Sequence, residues 1–180
     1  YDYITEYSYG IFESLGLLAP RIQGGSSGED LGKNSEIYSF LIKNGVSKEQ
    51  ADSFISNVPT YWGDQPILEA PAYIGITIFF FAMIAVFYSN NKFKYWLISG
   101  ALISLLLSWG KNFPILTDVF IDYFPFYNKF RAVSSIQIIL EFCFPVLAAI
   151  GVYTIANEKK EFWKSILKLS LIISGILFLL

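Results

Sequence analysis

Four long apolar runs constrain the fold of this chain more than any other feature. Residues 70–88 and 95–110 contain no charged side chain, and residues 132–157 contain only Glu141. A fourth run begins near Leu169 and continues to the last residue. A helix of about 20 apolar residues crosses the hydrocarbon core of a bilayer. The sequence therefore predicts a mainly α-helical, polytopic transmembrane bundle, with spans at about 70–88, 95–110, 133–156 and 166–180.

The composition and the placement of charge fit a chain that is partly in lipid. Of its 180 residues, 54% are hydrophobic and 16% are charged, whereas soluble domains carry about 25% charged residues. Residues 1–70 have a net charge of −6, and residues 71–180 have a net charge of +4. We therefore expect a mostly helical extracytoplasmic segment at 1–69 and a transmembrane region at 70–180, with an outer loop at 111–132.

The lysines predict the orientation of the spans. Six bases lie in the two loops that would share one side, and three lie in the loop on the other side. The six are Lys92, Lys94, Lys159, Lys160, Lys164 and Lys168. Basic loops stay in the cytoplasm. This predicts a multi-pass protein of the bacterial cytoplasmic (inner) membrane, with residues 1–69 and 111–132 on the extracytoplasmic side.

The residue types exclude several kinds of site. The chain has no histidine and a single cysteine, Cys143, so zinc, haem and iron–sulfur sites lack their usual ligands. No cofactor is expected here, and a divalent metal in the full-length protein stays open. The bilayer is the expected partner, and nucleic acid is not. The start at Tyr1 and the end inside an apolar run indicate a piece of a longer protein.

Two capping signals predict a helical hairpin in the acidic segment. Ser35 precedes a helix that carries apolar residues at helical spacing and ends at Gly45. Ser47 and Gln50 then form a capping-box pattern, in which the serine hydroxyl accepts from a first-turn amide. We interpret this hairpin as structural.

The outer loop gathers the charges of a candidate site. Asp118 and Asp122 are four residues apart and share one face of a predicted helix. The cations of the same loop are Lys111, Lys129 and Arg131. Two interpretations stay open: an ion-pair cluster at the membrane edge, or a site for an anionic headgroup or phosphate, with Arg131 as the forked donor. A helix beginning near Ser134 or Ser135 would add an N-terminus that favours anions.

Two further positions carry alternatives. Glu141, with Gln137 one turn before it, forms a polar stripe on an apolar helix, and an ionised carboxylate at mid-span costs about 2.5–3.5 kcal/mol. It is either a neutral, hydrogen-bonded side chain or part of a polar cavity. Trp62 and Asp64 precede the first span, where an aromatic ring either anchors the chain at the interface or contacts a sugar or headgroup.

Three strings carry a resemblance to a known family. TYWGDQPILEAPAYIG at 60–75, SWGKNF at 108–113 and DYFPFYNKFRAVSS at 122–135 resemble the YfhO-like membrane proteins of Bacteroidota. That family is related to GT-C-type glycosyltransferases, which transfer a sugar from a polyprenyl-phosphate carrier to an envelope acceptor outside the cytoplasmic membrane. The likeness covers the chain from the SYGIFESLGLLAPRIQGGSS region at 8–27 through the third span.

The resemblance implies a substrate and some site residues. The FR pair of Phe130 and Arg131 matches the place where such enzymes hold a lipid-linked phosphate, although a second arginine is missing. Arg131 and Lys111 are then expected to bind the carrier phosphate, and Lys129 is a third expected substrate-binding residue. The residues expected to line the sugar or acceptor cleft are Trp62, Asp64 and Tyr127. Their supporting residues are Asp118, Asp122, Glu141 and Gln137.

The resemblance assigns no catalytic residue, because GT-C enzymes carry their acidic catalytic residues in an earlier outer loop. Two other functions therefore stay open. One is a non-catalytic assembly partner for envelope polysaccharide or secretion machinery, which would dock an unspecified protein on its outer hairpin. The other is a transporter, which rests on Glu141.

Overall fold

The computed structural model describes residues 1–129, 131–157 and 162–179, and these residues form helices and loops without a strand. The α-helices are α1 Glu36–Lys43, α2 Lys48–Ile55, α3 Ile76–Tyr88, α4 Lys94–Ser108, α5 Pro114–Tyr123, α6 Gln137–Asn157 and α7 Phe162–Leu179. Short 3-10 helices occur at Phe12–Leu17, Gly110–Asn112, Tyr127–Lys129 and Val133–Ile136. The predicted mainly α class is confirmed. The predictions made for Phe130, Lys159, Lys160 and Leu180 lie outside the described residues.

The core forms where α3 and α4 both pack against α6. Its buried residues come from all three helices and from the first 3-10 helix. They include Leu17, Ala82, Ala85, Leu97, Ala101, Leu140, Cys143 and Leu147. A second cluster forms where α7 packs on α3, around Ile84, Ile166 and Ile173. Several of these core side chains, such as Ala82, Ala85 and Ala101, are small, which lets the helices approach each other closely.

Among the described residues, one helix is long and apolar enough to cross a membrane. It runs over Val133–Asn157, 25 residues with a mean hydropathy of 2.1. Helices α3 and α4 are equally apolar in character but have only 13 and 15 residues. Helix α3 begins at Ile76 rather than at the predicted residue 70. Gly75 directly precedes the helix and has a non-helical φ of 93°. Before it, the Ile74 amide donates to the Leu17 carbonyl instead of to a helical partner.

The acidic segment contains the predicted hairpin but is not mostly helical. Ser35 accepts a hydrogen bond from the Tyr38 amide, and Ser47 accepts one from the Gln50 amide, as the capping signals predict. Outside α1, α2 and the 3-10 helix, the segment consists of loops and turns. Backbone hydrogen bonds between distant residues hold these loops, such as the bond from the Ser27 amide to the Leu68 carbonyl. Such pairing competes with the local bonds that a helix needs.

Lys94 joins the end of α3 to the start of α4. The sequence counts it among the basic residues of a predicted cytoplasmic loop, and its side chain is buried. Its ammonium donates to the carbonyls of Val86 and Ser89, at 2.8 and 2.6 Å. A cation that satisfies the last carbonyls of a helix also stabilises the negative end of its dipole. Lys94 is therefore a C-terminal cap for α3.

The N-terminal residues pack at the opposite end of the bundle, where α4 ends and α6 begins. The Tyr9 amide donates to the Ser108 carbonyl at 2.8 Å, and the Lys111 amide donates to the Ser8 hydroxyl at 3.0 Å. The Ser134 amide donates to the Tyr7 carbonyl at 3.2 Å. The two segments predicted to lie outside the membrane therefore contact each other directly.

Candidate functional site

A polar cleft opens between the N-terminal turn, the loop before α3 and the loop after α4. Its volume is about 360 Å³. It is lined by Asp2, Thr5, Glu6, Asp64, Pro66 and Lys111. The structure thus brings Asp64 and Lys111, two predicted site residues, to one cavity. Asp2 and Glu6 were not among the predicted residues, and they make the cleft more acidic than an anion site would be.

Arg131 pairs with a carboxylate of the N-terminal turn. Its Nε donates to a Glu6 carboxylate oxygen at 2.7 Å, and its guanidinium carbon lies 5.6 Å and 5.5 Å from the ring centres of Tyr3 and Tyr7. The hydrogen bond from Arg131 holds the pKa of the Glu6 carboxyl below its ordinary value. Arg131 therefore links the N-terminal turn to the start of α6, and its carboxylate partner is Glu6 rather than the predicted aspartates. Its role as a donor to a phosphate stays a prediction.

The predicted cluster around the two aspartates is wrong in its pairing. Neither Asp118 nor Asp122 forms an ion pair with a described cation, and Lys129 is likewise exposed and unpaired among these residues. Both aspartates point to the exposed side of α5, whereas Arg131 finds its carboxylate 125 residues earlier in the chain. Burial and the nearby Asp118 carboxylate raise the pKa of Tyr1. The pairing depends on the N-terminal turn, whose position the local spacing does not reveal.

The predicted anion site at the start of α6 is also partly occupied. A 3-10 helix at Val133–Ile136 precedes α6, close to the predicted start. The Ser134 amide, which would have faced an anion, donates to the Tyr7 carbonyl. The Ser134 hydroxyl donates to Gln65 Oε1 at 3.2 Å. These hydrogen-bonding groups of Ser134 are therefore satisfied by the protein itself. Lys111 lines the cleft and forms no ion pair with a described carboxylate.

Below the cleft lies a buried carboxylate that the sequence predictions did not single out. Glu13 is 4% exposed and accepts three hydrogen bonds. Its donors are the Gly10 amide at 2.9 Å, the Tyr61 hydroxyl at 2.5 Å and the Gln65 side-chain amide at 3.2 Å. Burial and the hydrogen bond to Glu13 raise the pKa of the Tyr61 hydroxyl. Glu13 fixes the loop that carries Asp64.

Gln137 lies inside the protein, as one of the supporting residues. It is buried, and its Nε2 donates to the Ser108 hydroxyl at 3.3 Å. It also forms a hydrogen bond with the side chain of Tyr9. Burial and the nearby Glu13 carboxylate raise the pKa of Tyr9. This bond links the first turn of α6 to the end of α4 and to the N-terminal segment. Gln137 therefore acts by holding elements together, outside the lining of the cleft.

The two predicted aromatic residues differ in their surroundings. Trp62 is 68% exposed beside the loop that carries Asp64, so its ring is free to contact a ligand or the interface. Tyr127 is half-buried, and its ring packs edge-on against Phe120 at 5.5 Å. Its hydroxyl has no hydrogen-bond partner among the described residues. Neither ring lines the polar cleft itself.

Glu141 is exposed, which corrects the prediction that it faces protein or a cavity. The packed face of α6 is formed by Leu140, Cys143 and Leu147, and Glu141 lies beside that face on the open side of the helix. It has no hydrogen bond or ion pair with any described residue. A polar cavity at Glu141 is therefore not formed within this part of the chain.

An apolar groove runs between α3 and α4 over the surface of α6. Its volume is about 260 Å³. Each helix contributes one row of side chains, such as Phe79 and Met83 from α3, and Leu17 and Ile74 close the end nearest the cleft. The groove lining offers dispersion contacts but almost no hydrogen-bonding group. It suits a hydrocarbon chain.

No protein-family model, curated protein or solved structure matches this chain. Within the described residues there is also no group of three or more Asp, Glu, Cys or His side chains arranged to hold a metal ion. The function is therefore argued from the cleft, the groove and their surroundings.

Of the residues at this site that the sequence analysis did not predict, only Glu13 had a recognisable sequence signal. Glu13 is the single charge in the string YGIFESLGLL at 9–18, and a carboxylate among apolar neighbours is buried only when donors satisfy it. Asp2 and Glu6 carried no such signal, because they lie in a polar stretch. Their place in the cleft depends on the packing of the first turn against residues 108–112.

Proposed function

We propose that this chain is part of a multi-pass protein of the bacterial inner membrane that binds a polyprenyl-phosphate-linked sugar. The resemblance to the YfhO-like, GT-C-related family implies transfer of that sugar to an envelope acceptor. The acidic segment and the 111–132 loop face the extracytoplasmic side. Support comes from the span-length helix Val133–Asn157, the basic side chains at the opposite end of the bundle, and the direct packing of the two outer segments.

The polar cleft is the observation that carries this proposal. Its carboxylates, Asp2, Glu6 and Asp64, are acceptors for the hydroxyl groups of a sugar. Lys111 is the one lining cation, and it supplies a charge for the carrier phosphate. A cleft that offers both carboxylates and an ammonium group suits a ligand with a neutral, hydroxyl-rich part and one anionic group. In this proposal Lys111 binds the phosphate from within the cleft, and Arg131 holds the cleft wall through Glu6.

The apolar groove supports the lipid-linked form of the ligand. It is closed near the cleft by residues of the same N-terminal segment that lines the cleft. A carrier with its phosphate at the membrane surface places its chain among the helices. Apolar contact stabilises a buried chain by about 0.8 kcal/mol per CH₂ group, so even partial insertion of the chain adds to the affinity.

The test is sugar transfer by the full-length protein in lipid nanodiscs supplied with a labelled polyprenyl-phosphate sugar. Lys111→Ala is expected to lower kcat/KM about 10- to 100-fold, because a charge-assisted hydrogen bond contributes about 1.5–3 kcal/mol. Lys43→Ala is the matched control, since it removes an exposed cation of α1 that does not line the cleft, and it is expected to change turnover little. Equal rates for wild type and Lys111→Ala would remove the cleft from the reaction. Absence of sugar transfer by the wild-type protein would reject the proposed glycosyltransferase activity.

A further inference from the structure

Helix α5 leaves a row of apolar side chains uncovered. Ile115, Val119 and Tyr123 are 74%, 48% and 79% exposed. They recur every four residues and so lie in line along one side of the helix. Phe124 and Phe126 extend the exposed apolar surface just beyond the end of the helix. Such a surface marks a site of contact with another apolar phase.

The other side of α5 is fixed to the protein. Thr117 is fully buried, and its hydroxyl donates to the Gly110 carbonyl at 3.0 Å. Helix α5 also contacts α4. The helix is therefore held in one rotational setting, and the exposure of the row around Val119 is a property of the fold.

The depth of α5 is set by the ends of two neighbouring helices. Gly110, which anchors Thr117, lies two residues after the end of α4 at Ser108. Ser108 in turn accepts a hydrogen bond from Gln137, the first residue of α6. Helix α5 therefore starts at the level where the span-length helix begins, which is the level of a bilayer surface if that helix crosses.

The charges of α5 run parallel to its apolar row. Asp118 and Asp122 also recur every four residues, and both are exposed. Two straight rows, one apolar and one charged, divide the exposed surface along the helix axis. A flat boundary between hydrocarbon and water fits this division, as it does for amphipathic helices that lie in the membrane interface.

We propose that α5 lies in the extracytoplasmic interface of the bilayer, with Ile115, Val119 and Tyr123 against lipid and Asp118 and Asp122 against water. This inference rests on the proposed membrane location of the chain. It gives α5 a role of its own: it holds the wall of the polar cleft that carries Lys111 at the height of lipid headgroups.

The test uses spin labels in the full-length protein, reconstituted in vesicles of phosphatidylcholine and phosphatidylglycerol. With Cys143 and any cysteine outside residues 1–180 replaced by alanine, single cysteines are placed at Val119, Tyr123, Asp118 and Asp122. Collisions with oxygen, which concentrates in lipid, are compared with collisions with a water-soluble nickel chelate. The oxygen-to-nickel ratio at 119 and 123 is expected to exceed that at 118 and 122 by about threefold or more.

A fifth label at Phe142, on the exposed side of α6, separates failure of this inference from failure of the membrane proposal. If 142 reports lipid while 119 and 123 match 118 and 122, α5 stands in water and the inference is overturned alone. Low collision rates with both reagents at 119 and 123 would mean that another part of the protein covers the row, which also overturns it. If 142 reports water, the membrane proposal falls with it.

Discussion

Glu13 shows how single residues organise the outer end of this protein. It receives donors from its own turn and from residues 48 and 52 positions later in the chain. Arg131 and Glu6 make a second long-range tie. The sequence identified the cations of the outer loop and Asp64, but it did not identify their partners. Pairing across 125 residues depends on the folded N-terminal turn, whereas local spacing reports only neighbours on one helix.

Glu13→Ala is predicted to destabilise the protein by about 2–4 kcal/mol, because buried donors left without an acceptor cost about 1–3 kcal/mol each and water can satisfy some of them. Thermal unfolding of the purified protein in detergent measures the change as a lower midpoint. Glu36→Ala is the control, because Glu36 is exposed in the first turn of α1, and surface changes alter stability by about 0.5 kcal/mol or less. Equal midpoints for the two variants would contradict the role assigned to Glu13.

At the scale of elements, periodicity and capping signals predicted where helices occur, but the lengths of the apolar runs did not predict the helix lengths. Helices α4 and α6 lie within two to four residues of their predicted spans, and Ser35 and Ser47 cap the helices they were expected to cap. Apolar composition could not reveal that residues 70–75 are outside α3, because it does not distinguish a helical from a non-helical conformation. Their path is set by the bond between Ile74 and Leu17.

The crossing of α3 and α6 depends on Gly151, where a Cβ atom would collide with the Phe81 carbonyl oxygen. Gly151→Ala is predicted to push the helices apart and to cost about 1–3 kcal/mol of stability. Gly100→Ala in α4 is the matched control, because its Cβ would lie 3.5 Å from Cys143 Sγ, an ordinary contact. There the higher helix propensity of alanine, worth about 1 kcal/mol, should leave stability unchanged or raised. Unfolding midpoints in detergent compare the two, and a lower midpoint for Gly100→Ala than for Gly151→Ala would refute this packing.

At the scale of the whole molecule, the proposal depends on a bundle with two chemically different ends. One end carries Lys92 and, on α7, Lys164 and Lys168, and the Tyr88 hydroxyl reaches the Ser165 carbonyl there. The other end carries the acidic cleft, Arg131 and α5. The sequence predicted this division from charge alone, and the direct contacts between the N-terminal segment and residues 108–112 are consistent with it. A membrane between the two ends gives the cleft its access to a lipid-borne ligand.

Sidedness is the most direct measurement of this claim. In the full-length protein, Cys143 and any cysteine outside residues 1–180 are replaced by alanine. Single cysteines at Asn128 and Lys92, both exposed, are then treated in intact cells with a membrane-impermeant thiol reagent. The proposal predicts that the cysteine at 128 reacts in intact cells and that the cysteine at 92 reacts only after the inner membrane is permeabilised. Reaction of both positions under the same condition would place the two ends in one compartment and contradict the proposal.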